Sequence, residues 1–90
     1  MKNLAATDIL NSMKEVKIYT TPTCVYCRMA KALFEKNNIK YTEYNVAQDA
    51  QAREEMVHKT EQLGVPVIDI DGQIVIGFDE VKLKELLEIK

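Results

Sequence analysis

Two short apolar runs, Val67-Ile68-Asp69-Ile70 and Gln73-Ile74-Val75-Ile76, are joined by Asp71-Gly72 alone. That link rules out an all-helical or all-parallel fold. A two-residue Asp-Gly connection between β-branched runs is the strongest short hairpin signal, because both link positions need a positive φ. An antiparallel pair must therefore lie near the end of the chain. Upstream, Val16-Lys17-Ile18-Tyr19-Thr20 has the β-branched and aromatic character of a strand, and Thr21-Pro22-Thr23 breaks it. A helix is expected from about Cys24 to Asn37, with Tyr26, Ala30, Leu33 and Phe34 on its inner face and Arg28, Lys31 and Glu35 turned outward. Asn37-Asn38 supplies a left-handed stop. Tyr41 to Val46 reads as a second strand, and a strand–helix–strand unit of this kind is parallel through a right-handed crossover.

Asp49 is a good N-cap for a helix from Ala50 to about Thr60, with Ala52 and Met56 facing inward and Glu55–Lys59 forming an i,i+4 pair. Gly64-Val65-Pro66 interrupts the chain before the hairpin, and Gly77-Phe78 closes it. A last helix, capped by Asp79, should run from Glu80 to about Ile89 and bury Val81, Leu83, Leu86 and Leu87. The order β-α-β-α-β-β-α gives an α/β fold: a mixed four-stranded sheet flanked by helices. Residues 15–90 form this one domain. Residues 1–14 are an N-terminal extension in which Ile9, Leu10 and Met13 could line one side of a short extra helix.

The formal charge is −2, from 12 basic and 14 acidic residues scattered along the chain, which leaves no electrostatic footprint for nucleic acid or an anionic membrane. No apolar run approaches the roughly 18 residues of a membrane span, and Met1 to Ser12 lack the apolar core and small-residue cleavage site of a secretory signal. A cytoplasmic location is expected, where thiols stay reduced.

In that setting the two cysteines, Cys24 and Cys27, are informative. As a staple the pair would be poor: closing so short a loop is worth roughly 2 kcal/mol by the chain-entropy formula, and a reducing compartment would open the bond. A Cys-x-x-Cys that follows a strand and opens a helix suits a disulfide made to open and close. Thiol–disulfide exchange requires a thiolate nucleophile. Cys24, at the helix N-terminus, faces unpaired N–H groups and the positive end of the macrodipole, which stabilise its anion. Arg28 and Lys31 add positive charge, and Cys27, one turn further in, can attack a mixed disulfide formed on Cys24. A zinc site or an inert pair of core thiols are the rival readings. Zinc wants four ligands, and beyond the cysteines only His58 and carboxylates remain. His58, among Glu54, Glu55 and Lys59, reads as a solvated surface histidine, so no metal site is expected.

Tyr19-Thr20-Thr21-Pro22-Thr23-Cys24-Val25-Tyr26-Cys27, Gly64-Val65-Pro66-Val67, Asp71-Gly72 and Ile76-Gly77-Phe78-Asp79, in that order, resemble the glutaredoxin family of the thioredoxin fold. The chain is similar in particular to the glutaredoxin-like redoxins, NrdH-redoxin and the YruB-type proteins. The resemblance covers about residue 15 to the end. It implies a thiol–disulfide oxidoreductase that reduces protein or small-molecule disulfides, with Cys24 as nucleophile and Cys27 as resolving thiol. Taken alone, Pro66 reads as a trans-proline opening an edge strand. The resemblance implies a cis-proline facing the cysteines, with the backbone of Val65 pairing to substrate as an added strand. The substrate-binding set implied in this way is Thr23, Tyr26, Val65, Pro66, Gly77, Phe78 and Asp79.

Two positions depart from the glutathione-binding pattern. Thr21 stands where a Lys or Arg commonly holds a glutathione carboxylate, and Gly77-Phe78-Asp79 replaces Gly-Gly before an acid. An exposed Phe78 would suit a protein surface better than a tripeptide. A helix cap is a sufficient role for Asp79; contact with a glutathione amine is the other. The resemblance implies no bound cofactor, reducing equivalents from thioredoxin reductase and NADPH or from glutathione, disulfide-containing protein substrates and a monomer. An iron–sulfur or metal-binding module of the glutaredoxin type is the alternative.

Overall fold

In the computed structural model, residues 14–89 are described, so the extra helix expected around Ile9, Leu10 and Met13 lies outside the described residues. Strands β1 (Val16–Thr20), β2 (Thr42–Asn45), β3 (Val67–Ile70) and β4 (Gln73–Ile76) alternate with helices α1 (Val25–Lys36), α2 (Ala50–Thr60) and α3 (Glu80–Leu87) in the order β1-α1-β2-α2-β3-β4-α3. The sheet order is β2-β1-β3-β4. β1 runs parallel to β2, with Tyr19 opposite Tyr44, and antiparallel to β3, with Tyr19 opposite Val67. β4 pairs antiparallel with β3, and Asp71 and Gly72 both adopt positive φ, as the two-residue turn requires. This is the thioredoxin fold.

Alternation along the strands separates two cores. Val16 and Ile18 of β1 face α1 and α3, where they pack with Ala30, Phe34, Ile68, Ile70, Leu83 and Leu87. Tyr19 faces the other way and packs with Val46, Val67 and the Ala52 and Met56 face of α2. β3 is buried along its whole length, as a strand covered on both faces must be.

The caps agree with local chemistry. The carboxylates of Asp49 and Asp79 accept the Ala52 and Lys82 N–H groups at 3.0 and 3.1 Å, and Asn38 takes the left-handed conformation after α1. Two helix faces differ from expectation. Tyr26 is 60% exposed, because the inward stripe of α1 starts at Cys27 and continues through Ala30 and Phe34. Val81 is 71% exposed: Leu83 and Leu87 form the buried stripe of α3, and two residues turn a helix about 200° away from it. α3 also ends at Leu87 rather than Ile89, where Glu88 turns left-handed.

All three helices begin at the end of the sheet where β1 ends. The opposite end gathers the chain's entry and exit. There Asp71 N–H donates to the Glu15 carbonyl at 3.0 Å, Glu15 N–H donates to the Asp71 carboxylate at 2.8 Å, and Lys14 Nζ donates to the Leu86 carbonyl at 2.7 Å. No helix among the described residues is long and apolar enough to cross a membrane.

Candidate functional site

β1 ends at Thr20, and the chain needs only the turn Thr21-Pro22-Thr23 before α1 begins. Cys24 is the N-cap of that helix, with extended backbone angles (φ −86°, ψ 113°). Its Sγ accepts the Cys27 N–H at 3.1 Å, so a helix-start amide that would lack a partner is satisfied by sulfur. The same interaction places the Cys24 sulfur in the positive field of the helix N-terminus, where negative charge is favoured.

Cys27 differs. It is 1% exposed, whereas Cys24 is partly open to solvent. Burial pushes the Cys27 thiol well above the ordinary thiol range, and the adjacent Cys24 sulfur adds to the effect. The Thr21 backbone and the Lys31 cation act in the opposite direction. One sulfur is thus accessible and solvated by the helix, and the other is held protonated behind it.

The antiparallel register of β1 and β3 brings a second turn to this place. Val65-Pro66 is a cis peptide, Pro66 is buried, and the Cys24 thiol donates to the Val65 carbonyl at 3.8 Å. The trans-proline of an edge strand is corrected here: Pro66 precedes β3, which lies between β1 and β4. The Val65 side chain packs on the Tyr19 and Val67 cluster, where Tyr19 and Tyr44 stack at 5.3 Å. Gly77 N–H donates to the Pro66 carbonyl at 2.8 Å, tying the end of β4 to the same turn, and Gly77 has φ +83°.

Thr23 and Tyr26 are exposed beside Cys24. Phe78 corrects the expectation of an exposed ring: it is half-buried and packs against the core beneath α1 and α3. Asp79 caps α3, the structural role expected of it. Arg28 and His58 are exposed; Lys31, expected to point outward, is instead half-buried and bonded to Glu43.

Sequence patterns do not disclose two polar clusters. Thr20 Oγ1 and Lys31 Nζ both donate to Glu43 Oε2, at 2.8 and 2.9 Å, joining the end of β1 and the helix of the cysteines to β2. The Lys31 ammonium holds the Glu43 carboxyl below the usual carboxylate range, against the effect of its partial burial. On the other face, Lys59 Nζ donates to Asp69 Oδ2 at 2.7 Å and to the Tyr19 hydroxyl at 2.9 Å, and Tyr19 donates to Glu55. Burial, reinforced by Glu55, pushes the Tyr19 phenol up to about 12.

An accessible Cys-x-x-Cys sulfur at a helix start, backed by a buried second thiol and faced by a cis-proline, is the arrangement of the thiol–disulfide oxidoreductases of the thioredoxin fold. The chain belongs to the glutaredoxin family: the Glutaredoxin family model matches residues 16–75. It is 45% identical over 73 residues to an uncharacterized glutaredoxin-like 8.6 kDa protein in the rubredoxin operon of Clostridium pasteurianum, covering 81% of this chain and 97% of that protein. It is 39% identical over 69 residues to glutaredoxin 3 of Escherichia coli, covering 77% of this chain and 83% of that one. Among solved structures, a mutant of the thioredoxin-like protein BC3987 superposes with a TM-score of 0.81 at 36% identity, covering 87% of this chain and 100% of the other.

Proposed function

We propose that the protein is a dithiol electron carrier of the cytoplasm that reduces disulfides in other proteins, acting as a monomer without a bound cofactor. The observation that carries this reading is the contrast between the two sulfurs, since the Cys24 sulfur accepts an N–H at the mouth of a helix while Cys27 is buried one turn behind it.

The Cys24 thiolate attacks one sulfur of a substrate disulfide, forming a mixed disulfide and releasing the other substrate sulfur as a thiolate. Cys27 then gives up its proton and attacks Cys24 Sγ. The Cys24–Cys27 bond forms, the mixed disulfide breaks, and the second substrate sulfur leaves and is protonated. The protein is oxidised by two electrons and the substrate reduced by two. The Val65 backbone, whose carbonyl lies beside Cys24, is the candidate to pair with a substrate strand, with Thr23, Tyr26 and the Gly77-Phe78-Asp79 segment as the further substrate contacts of this reading.

For the donor that restores the dithiol we propose thioredoxin reductase with NADPH, ahead of glutathione. Thr21 offers no cation for a glutathione carboxylate, and loss of a charge-assisted hydrogen bond costs about 1.5–3 kcal/mol. With Phe78 packed inward, the preference rests on Thr21.

Two measurements test these statements. Cys27→Ser should accumulate a mixed disulfide on Cys24, seen by mass spectrometry, whereas Cys24→Ser should form none; an adduct on Cys27 in the latter reverses the roles. NADPH consumption with a common disulfide substrate should be faster with thioredoxin reductase than with glutathione and its reductase. Turnover with glutathione only would overturn the donor assignment.

A further inference from the structure

Lys31 lies four residues after Cys27 on α1, and i,i+4 side chains share a helix face with Cβ atoms about 5–6 Å apart. Its charge does not wander in solvent. Nζ is fixed at 2.9 Å on Glu43 Oε2, the side chain is 26% exposed, and the same carboxylate oxygen is held by Thr20 Oγ1 at the end of β1. A lysine on an outer face would project into water; this one is folded back across the sheet edge.

We propose that Lys31 is a positioning residue for the second half of the exchange: anchored by Glu43, its ammonium favours the negative charge that Cys27 must carry when it attacks the mixed disulfide on Cys24. The proposal rests on the two-cysteine reading above and adds a residue to it.

The physical need is clear from burial. Cys27 is 1% exposed, so water does little for its anion, and burial is the largest effect against it. Among the titratable groups that bear on Cys27, Cys24 works against the thiolate in the free dithiol but is uncharged once it is in the mixed disulfide, whereas Lys31, held by Glu43 of β2, works for it in both states. Glu43 offsets part of the cation's field but anchors its position. The first half of the exchange does not need Lys31. Cys24 is served by the helix N-terminus, and Lys31 lies two turns further along α1.

A nearby opposite charge moves an ionisation by about 1–3 units, and the shared carboxylate and partial solvent access put Lys31 at the low end of that range. Loss of the cation should therefore slow resolution about tenfold at neutral pH, the equivalent of one unit.

The test uses the reduced full-length protein and a dithiobis(nitrobenzoate) disulfide in stopped flow. Each released nitrothiophenolate absorbs, so attack by Cys24 and resolution by Cys27 appear as successive phases. For Lys31→Met, the second phase should slow by about tenfold from neutral to mildly alkaline pH, with the first phase changed less than about twofold. Lys31→Arg should keep both phases near wild type. A second phase of unchanged rate in Lys31→Met overturns the proposal, as does a Lys31→Arg variant as slow as Lys31→Met or equal slowing of both phases, either of which would mark a purely structural ion pair. Release of only one equivalent by the wild-type protein would overturn the two-cysteine reading itself, and the role of Lys31 with it.

Discussion

Lys59→Met removes the side-chain cation bonded to Asp69, a residue 8% exposed on β3. The methionine keeps the length and apolar stem of the lysine, so the variant isolates the charge and its hydrogen bonds. In the wild type, burial is the largest single effect and disfavours both charges, but the Lys59–Asp69 hydrogen bond and charge attraction, with the Gly72 N–H on Asp69 and the Tyr19 hydroxyl on Lys59, together outweigh it. They hold the Asp69 carboxyl below, and the Lys59 ammonium above, their ordinary ranges. Breaking a buried pair by removing one partner costs about 3–5 kcal/mol. The Lys59 side chain is 23% exposed, so water reaches the vacated place, and Gly72 N–H still serves Asp69 at 2.7 Å. The expected loss is about 2–3 kcal/mol at pH 7, a fall of roughly 1–2 M in the urea midpoint.

The sign of its pH dependence follows. With a depressed native pKa, Asp69 stabilises the wild type above the ordinary carboxylate range and loses that contribution as pH falls through the native value. In the variant the buried carboxylate lacks its cation, so protonation relieves the fold. The gap between the two proteins should narrow from pH 7 to about pH 4. Urea unfolding at both pH values measures it, and Lys59→Met with Asp69→Asn should recover part of the loss. A deficit below about 0.5 kcal/mol at pH 7, or one that widens in acid, would refute the account of Asp69 as a buried carboxylate dependent on Lys59.

Phe34→Ala should destabilise by about 3–5 kcal/mol in thermal or urea unfolding, because Phe34 is fully buried between α1 and the sheet. Asp79→Ala should cost about 1 kcal/mol through loss of the Lys82 N–H bond; a rise in the KM for glutathione in the glutathione-coupled assay would reveal a ligand contact besides the cap. Glu61→Gly should raise the melting temperature by a few degrees, since Glu61 closes α2 at φ +58°, where a side chain costs about 1–2 kcal/mol and the entropy of glycine offsets part of the gain.

What the sequence made legible was what neighbouring residues decide among themselves. Asp71-Gly72, the caps Asp49 and Asp79, and the stop at Asn38 depend on partners within three or four positions, and each stands as expected. The cysteines belong to the same class, since the cap bond from Cys27 N–H to Cys24 is itself local. Tyr26 and Val81 were misplaced because a helix of 8–12 residues admits two overlapping apolar stripes, and the sheet beneath selects one. The Lys31–Glu43 and Lys59–Asp69 pairs join residues 12 and 10 apart on different elements, so pairing to β1 had to be known first. Phe78 carried no periodic signal at all: it lies between a strand and a cap, and only the packed core shows which way its ring turns.

The contacts of Lys14 and Glu15 with Leu86 and Asp71 have a practical side. The chain enters and leaves the domain at the end of the sheet remote from Cys24. A dye, resin linker or second domain joined before residue 14 or after residue 89 starts its path away from the cysteines, and so does an insertion in the Asp71-Gly72 turn. Immobilised through any of these three points, the molecule would hold its reactive sulfur toward the solution, ready to serve as a capture surface for disulfide-bearing proteins.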